Sequence, residues 1–234
     1  MSDESVPPGP DPFAQAEASA AALRERAGVD GFDAAVVLGS GWQAAADAIG
    51  AAQMEIPLAE LGGFKQPRVK GHSPSVRYIR QGQRRVLVYL GRIHLYEGHD
   101  PHAVVHGVRT AIAAGCRAVV LTNAAGGINA GYAVGQPVLI SDHINLTGRS
   151  PLWGPLPPDV PSRFTDLTQA YSRRLRGLAR EFDPARRRPA RRPAVRSGGA
   201  ARRAGCRRGR PNRWSRPARP RARSGRPTAP PPGC

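Results

Sequence analysis

The sequence predicts an α/β fold in which helices cover a largely parallel sheet. Apolar runs of strand length and composition occur at "AAVVL", "RRVLVYL" and "RAVVL". Segments with helical patterns separate these runs, and this alternation is typical of layered α/β domains. Each of the three runs leads into glycine or other small or polar residues. Because ligands of such sheets bind beyond the carboxyl ends of the strands, a site is expected there.

Charge and composition divide the chain into three parts. The 234 residues carry a net charge of +18, yet residues 184–234 alone hold 17 Arg and no acidic residue. Of these 51 residues, 42 are Arg, Pro, Ala or Gly, which cannot bury enough apolar surface to offset the entropy of ordering. We expect a flexible lead at 1–12, a near-neutral globular part at 13–183 and a disordered tail at 184–234.

Composition also argues against several classes of protein. Three widely spaced cysteines, Cys116, Cys206 and Cys234, form neither a disulfide framework nor a metal pattern, and Cys116 is expected at a buried helix–strand junction. The first residues lack the charged region and apolar core of a signal peptide. No apolar run approaches the roughly 20 residues of a membrane span. We therefore expect a cytoplasmic domain without membrane contact.

The elements before residue 100 follow from local signals. An Ala-rich helix is predicted from Phe13 to about Gly28, where the glycine ends it. The strand over "AAVVL" then enters a Gly-Ser-Gly turn, and a helix follows over "WQAAADAIG". Two further strands, "SVRYIR" and "RRVLVYLG", are joined through "QGQ".

The elements after residue 100 alternate in the same way. A helix is predicted over "PHAVVHGVRTAIAAG", with Pro101 suited to its first turn. Strands are predicted at "RAVVL" and "PVLISDHINLTG". The segment "DLTQAYSRRLRGLAREF" predicts an amphipathic helix capped by Asp166 or Thr165. Its apolar face would carry Leu167, Tyr171, Leu175 and Leu178.

Four segments carry residues that could bind a ligand. At "LGSG" the glycines would let the backbone approach an anion and Ser40 would add a hydroxyl, although such a turn is also a plain tight connection. In "GRIHLYEG", Arg92, His94 and Tyr96 would share one face if the strand continued, and Arg92 would suit a phosphate oxygen. A surface arginine beside a core-capping histidine is the alternative.

The other two segments are "TNAAGG" and "VKGHSPS". In the first, residues 122–127, small side chains would leave backbone amides bare for a ligand, or would form a close-packed turn capped by Asn123. In the second, His72 stands in a loop where a solvated histidine is the usual finding. The spacing of the histidines at 99, 102 and 106 suggests no metal triad.

Five segments together resemble the purine nucleoside phosphorylases of the trimeric, 6-oxopurine-preferring class. They are "VVLGSG", "KGHSPS", "GRIHLYEGH", "VLTNAAGGIN" and "GQPVLISDHINLTGRSPLWGP", in that family's order and spacing over residues 13–183. The resemblance implies a three-layer α/β sandwich with a mixed central sheet, incomplete at the C-terminus. It also implies phosphorolysis of a purine nucleoside to a free purine and ribose 1-phosphate.

The resemblance assigns roles to particular residues. Phosphate, the co-substrate, would be held by Ser40, His72, Arg92, His94 and the backbone N–H of Ala124. Tyr96 would contact ribose, and Phe164 would reach the ribose pocket of a neighbouring subunit. No metal or organic cofactor is implied, and no residue is singled out as the catalytic one. The "TNAAGG" segment argues against a methylthioadenosine phosphorylase, a related alternative.

The last 51 residues depart from the family pattern. Family members continue with strands that carry a purine-binding Glu, a Met-Ser pair, an Asn and a late His, whereas residues 184–234 contain no Glu, Met or His. We therefore expect that the purine half of the site is missing and that the activity of this chain is doubtful. Complete relatives form homotrimers, and that assembly is doubtful here. Arg, Pro, Ala and Gly codons can be built mainly from G and C, so we expect that the reading frame is lost near Pro184. A non-specific nucleic-acid-binding tail on an inactive domain is the alternative.

Overall fold

The structure is a computed structural model that describes residues 10–39, 41–67, 74–154, 156–157 and 164–182. The tail at 184–234 and most of the lead at 1–12 lie outside the described residues. The strands are β1 (Ala34–Leu38), β2 (Ala52–Pro57), β3 (Ser75–Gln81), β4 (Arg84–Leu90) and β5 (Ala118–Leu121). The helices are α1 (Pro12–Ala27), α2 (Ala45–Ile49), α3 (Pro101–Val104), α4 (His106–Ala113) and α5 (Arg173–Glu181). Single 3₁₀ turns occupy Leu58–Glu60 and Leu95–Glu97.

The five strands form one mixed sheet in the order β2-β3-β4-β1-β5. Strand β1 runs parallel to both β4 and β5, with Val36 opposite Val88 on one side and Val120 on the other. Strand β3 runs antiparallel to both β2 and β4. The carboxyl ends of β1, β4 and β5 therefore meet at one edge, which is where α/β sheets bind ligands.

Alternation along the strands creates two apolar faces. One face carries Ala35, Val37, Leu87 and Tyr89 and packs against α1 and α4, burying Leu23 and Ala111. The opposite face carries Leu38, Ile79 and Val88 and packs against Ala46 of α2. Because consecutive strand residues point to opposite faces, both sides of the sheet must be covered. The expected three-layer α/β sandwich with a mixed sheet is confirmed.

Helix α1 shows why the local signals at the N-terminus succeed. The Asp11 carboxylate accepts the Phe13 N–H at 2.9 Å, and Pro12 begins the helix. Gly28 ends it with a left-handed φ of 62°, donating its N–H to the carbonyls of Arg24 and Glu25. Glycine adopts this conformation without the steric cost that other residues meet.

A buried polar contact joins α1 to α4. The Ser19 hydroxyl lies 3.1 Å from Nε2 of His106, and it also contacts the carbonyls of Gln15 and Gly62. Gly63 beside it has no room for a side chain, because an added Cβ would lie 2.6 Å from the His106 ring. Burial lowers the pKa of His106, which favours the neutral form of the imidazole.

Three sequence predictions about elements are wrong. "PVLISDHINLTG" is not a strand: residues 137–148 are irregular and exposed. An apolar run becomes a strand only when a neighbour completes its hydrogen-bond ladder, and none does so among the described residues. The helix predicted from Trp42 begins at Ala45. The helix predicted from residue 101 is interrupted at Val105, whose backbone φ and ψ leave the helical range.

The last helix is also shorter than predicted. Helix α5 begins at Arg173, where the Ser172 hydroxyl accepts the Leu175 N–H at 3.3 Å. Asp166 instead accepts the Thr168 N–H of a separate turn, so it is not the cap of α5. Leu167 and Tyr171 consequently lie outside the helix. Strand β2 was missed, although "AQMEIP" alternates apolar and polar residues as a half-buried strand does, and its pairing with β3 defines it in the structure.

Candidate functional site

The ends of β1 and β5 are tied together by one threonine. The Thr122 hydroxyl accepts the Gly39 N–H at 2.9 Å and donates to the Val37 carbonyl at 3.0 Å. The Thr122 N–H also donates to the Val37 carbonyl at 3.0 Å. On the other side of β1, the Gly91 N–H donates to the Leu38 carbonyl at 3.3 Å. These bonds hold the three chain ends in one place beyond the sheet.

Arg92 lies across this edge, against the backbone of Gly39. A Cβ added to Gly39 would lie 2.7 Å from Nη1 of Arg92, 3.1 Å from its Nη2 and 3.1 Å from the Thr122 carbonyl oxygen. A side chain at Gly39 would therefore displace the guanidinium of Arg92 and press against the Thr122 carbonyl. Nη1 of Arg92 is buried and has no hydrogen-bond partner among the described residues. A buried cationic N–H group without a partner is costly, and an anion would satisfy it.

His94 and Tyr96 are brought together, but not by a strand. Strand β4 ends at Leu90, so the predicted alternation of Arg92, His94 and Tyr96 on one strand face is wrong. His94 instead precedes the 3₁₀ turn Leu95–Glu97. Its ring stacks on the Tyr96 ring with centroids 4.8 Å apart and planes 17° apart, and Tyr96 is 80% exposed.

Glu97 is the residue that sequence reasoning missed. Its Oε1 accepts both the backbone N–H and the Nδ1–H of His94, each at 2.9 Å. Glu97 follows His94 by three residues, the spacing of a helix capping box, so the pattern "HLYE" held the signal. With Nδ1 engaged, the other ring nitrogen of His94, Nε2, is the one left to meet a ligand.

The remaining candidate residues are placed as follows. Ala124 is exposed, and its N–H donates no hydrogen bond within the described residues. Phe164 is 92% exposed and lines a shallow cleft with Ser150, Leu152, Trp153, Gly154 and Thr165. Another cleft lies between α1 and α3, and neither cleft contains Arg92. Ser40 and His72 lie outside the described residues.

The described part of the chain lacks two features. It contains no group of three or more His, Cys, Asp or Glu side chains that could hold a metal ion. It also contains no helix long and apolar enough to cross a membrane. Cys116 is buried between α4 and β5, as expected, and burial raises the pKa of its thiol to about 12.

Comparison with known proteins places the chain in a family. The sequence profile of the phosphorylase superfamily matches residues 33–209. A purine nucleoside phosphorylase of Mycobacterium tuberculosis is 53% identical over 177 residues, covering 76% of this chain and 63% of that protein. One from Cellulomonas is 49% identical over 182 residues, covering 76% and 62%. The chain thus spans less than two thirds of the curated relatives it matches.

Solved structures agree with the sequence relatives. An isoform of purine nucleoside phosphorylase from Schistosoma mansoni, in complex with cytosine and ribose-1-phosphate, superposes with a TM-score of 0.64. It is 30% identical, and the superposition covers 72% of this chain and 60% of that one. The Schistosoma mansoni enzyme in complex with inosine gives a TM-score of 0.62 at 29% identity, covering 72% and 59%.

The sequence profile covers more than half of the chain. The similar sequences and the similar solved structures are both purine nucleoside phosphorylases. The mixed sheet and its three layers are the fold shared with the Schistosoma mansoni structures. The chain belongs to the phosphorylase superfamily, within which it is similar to purine nucleoside phosphorylases.

Proposed function

We propose that this chain carries the phosphate-binding and ribose-binding half of a purine nucleoside phosphorylase site. The reaction of the complete site is phosphorolysis: a purine nucleoside and inorganic phosphate give a free purine and ribose 1-phosphate. Phosphate is a co-substrate, no metal or organic cofactor takes part, and the cytoplasm supplies the phosphate. The names of the similar proteins support this substrate class.

The observation that carries the proposal is the buried, unpartnered Nη1 of Arg92 at the strand ends. A guanidinium presents N–H groups in a rigid fork that matches two oxygens of a phosphate. Gly39 leaves the space in which the guanidinium lies, and Thr122 holds the backbone of Gly39 in place. Arg92 would therefore be the principal phosphate ligand.

Other groups would complete the phosphate and ribose sites. Ser40, His72, Nε2 of His94 and the Ala124 N–H would contact the remaining phosphate oxygens. Tyr96, which stacks on His94 and is largely exposed, would lie against the ribose. Phe164, also exposed, would contribute to the ribose pocket of another copy where one is present.

The mechanism follows from the charge that develops during the reaction. Cleavage of the glycosidic bond passes through an oxocarbenium-like state, as in glycoside hydrolysis. A phosphate dianion fixed beside the sugar stabilises this positive charge and then forms the new bond to the anomeric carbon. The bonding electrons leave with the purine, which gains negative charge and must be stabilised. The residues that would do this in the family have no counterpart in residues 184–234, which lack Glu, Met and His.

The composition change after residue 183 has a proposed origin at the level of the gene. We propose that the reading frame changes near Pro184, which would give an Arg, Pro, Ala and Gly-rich product from a GC-rich gene. Translation of the other two frames beyond that codon is the test. A segment with the purine-binding Glu and the Met-Ser pair is expected in one of them, and its absence from both would contradict the idea.

Calorimetric titration of the full chain with inorganic phosphate tests the phosphate site. Replacing Arg92 by Ala should weaken binding about 10-fold to 100-fold, the usual effect of losing hydrogen bonds to a charged group. Arg92→Lys should be intermediate, because an ammonium lacks the planar fork. Arg117→Ala is the matched control, since this exposed arginine precedes β5 at the opposite end of the strand. Equal phosphate affinity in the wild type and Arg92→Ala would overturn the proposal.

A further inference from the structure

The hydrogen-bond ladder between β1 and β5 ends on a side chain rather than on the backbone. Leu38 and Thr122 follow the last paired residues, Val37 and Leu121, in the parallel register. The Thr122 N–H donates to the Val37 carbonyl at 3.0 Å, as a parallel ladder requires. The next ladder bond would run from the Gly39 N–H to the Thr122 carbonyl. The Gly39 N–H instead donates to the Thr122 hydroxyl at 2.9 Å, so the side chain takes the place of its own carbonyl.

This bond depends on a hydroxyl that is donor and acceptor at once. The oxygen of the Thr122 hydroxyl accepts the Gly39 N–H, while its proton goes to the Val37 carbonyl at 3.0 Å. A methyl group of the same size can do neither. A valine at this position would keep the shape of the side chain and leave the Gly39 N–H without its present acceptor.

The same threonine contacts the backbone on both sides of the proposed phosphate site. On one side, Gly39 lies against the guanidinium of Arg92, and a Cβ added to Gly39 would lie 3.1 Å from the Thr122 carbonyl oxygen. On the other side, β5 ends at Leu121, and the chain leads through Thr122 to Ala124. The Ala124 N–H donates no hydrogen bond within the described residues, so it is free to meet a ligand.

We propose that Thr122 is a positioning residue of the phosphate site. By taking the ladder bond on its hydroxyl, it ends the backbone ladder one bond early and sets the position of the Ala124 N–H relative to the Arg92 guanidinium. Without the hydroxyl, the ladder would extend by one bond, and the peptide after residue 122 would rotate and move the Ala124 N–H. The ladder bond follows from these contacts alone, whereas its consequence for phosphate rests on the proposed function.

Calorimetric titration of the full chain with inorganic phosphate tests this consequence. Thr122→Val should weaken binding about 10-fold, because the shape is kept and only the hydroxyl is lost. Thr122→Ser should bind phosphate as the wild type does, since it keeps the hydroxyl, and this rescue separates positioning from packing. Thr110→Val is the matched control and should bind normally: this threonine of α4 is fully buried, and its hydroxyl has no hydrogen-bond partner among the described residues.

NMR of the same chains, without phosphate, tests the ladder bond itself. A scalar coupling between an amide nitrogen and a carbonyl carbon across a hydrogen bond appears only when that carbonyl is the acceptor. In the wild type and in Thr122→Ser, the Gly39 nitrogen should show no such coupling to the carbonyl carbon of residue 122. In Thr122→Val the coupling should appear, because the backbone carbonyl is the acceptor that remains for a buried N–H.

Two results would overturn the proposal. One is a coupling to the carbonyl carbon of residue 122 that is already present in the wild type. The other is wild-type phosphate affinity in Thr122→Val, which is what a merely structural role would give even if the free energy of unfolding fell. If the wild type binds no phosphate, the proposed function fails while the couplings still decide on the ladder bond. If Thr122→Val does not fold, Thr122→Ala compared with Thr122→Ser decides in the same way.

Discussion

At the scale of single residues, Gly39 determines where the Arg92 guanidinium can lie. Gly39→Ala would place a Cβ 2.7 Å from Nη1 and 3.1 Å from a backbone carbonyl that cannot move easily. The guanidinium must shift, so phosphate affinity should fall about 10-fold or more in calorimetric titration. Gly62→Ala is the control, because no atom lies within 4 Å of its added Cβ. Wild-type phosphate affinity in Gly39→Ala would show that the contact between Gly39 and the guanidinium does not position the phosphate ligand.

The buried His106 gives a second prediction at the residue scale. Burial is the main cause of its lowered pKa, so the unfolded chain takes up this proton at higher pH than the folded chain. The free energy of unfolding should therefore have its full value above the ordinary histidine pKa of about 6.5 and decrease as the pH falls below it. Urea unfolding across this range measures the effect. His106→Gln should make the free energy of unfolding depend less steeply on pH between about pH 7 and pH 5. The exposed control His143→Gln should keep the wild-type dependence. The same pH dependence in His106→Gln as in the wild type would contradict the account.

Only some residues of the site could be predicted from the sequence. Arg92 could be predicted, because its type and its place after an apolar strand are both visible in the chain. Glu97 and Gly39 acquire their roles through contacts, with His94 and with Arg92 respectively. Such contacts depend on how the ends of β4 and β1 approach each other, which local patterns do not specify.

At the scale of elements, the end of α1 depends on one backbone conformation. Gly28 has a φ of 62°, and an added Cβ would meet no atom within 4 Å. Gly28→Ala should therefore lower the free energy of unfolding through the backbone alone, by about 1 kcal/mol. Gly28→Asn should cost less, because asparagine tolerates the left-handed region. Urea unfolding of the two variants measures this difference. Equal stability of Gly28→Ala and the wild type would mean that the end of α1 can adopt another backbone conformation at no cost.

The elements that sequence reasoning predicted correctly are those with strong local signals. Helix α1 has a cap at each end, and β3 and β4 are joined by a short turn in which Gly82 has a φ of 59°. The apolar run at 138–140 carries a strand composition, yet it pairs with no strand in the described chain. Conversely, the segment of β2 was not predicted, yet it pairs with β3 along its length. In both cases, whether the segment forms a strand depends on whether a neighbouring strand pairs with it.

At the scale of the whole molecule, the described chain exposes an unusual amount of apolar surface after β5. Large side chains there are mostly solvent-exposed, among them Ile128, Val134, Ile144, Leu146 and Phe164. The outer edge of β5 has no strand partner among the described residues. Exposed apolar surface of this extent marks interaction sites, ligand grooves or aggregation-prone surface. It lies in a chain that spans about 63% of its Mycobacterium tuberculosis relative.

We propose that the strand ends around Arg92 bind phosphate and that residues 184–234, which lack Glu, Met and His, do not supply the purine-binding residues of the family. The most direct measurement is release of free purine from inosine by the full chain, with and without inorganic phosphate. Losing one well-placed donor costs about 10²–10³ in rate. Because residues 184–234 offer no Glu, Met or His to stabilise the purine, release should stay at the uncatalysed rate even where phosphate binds. Phosphate-dependent release that Arg92→Ala abolishes would contradict the account.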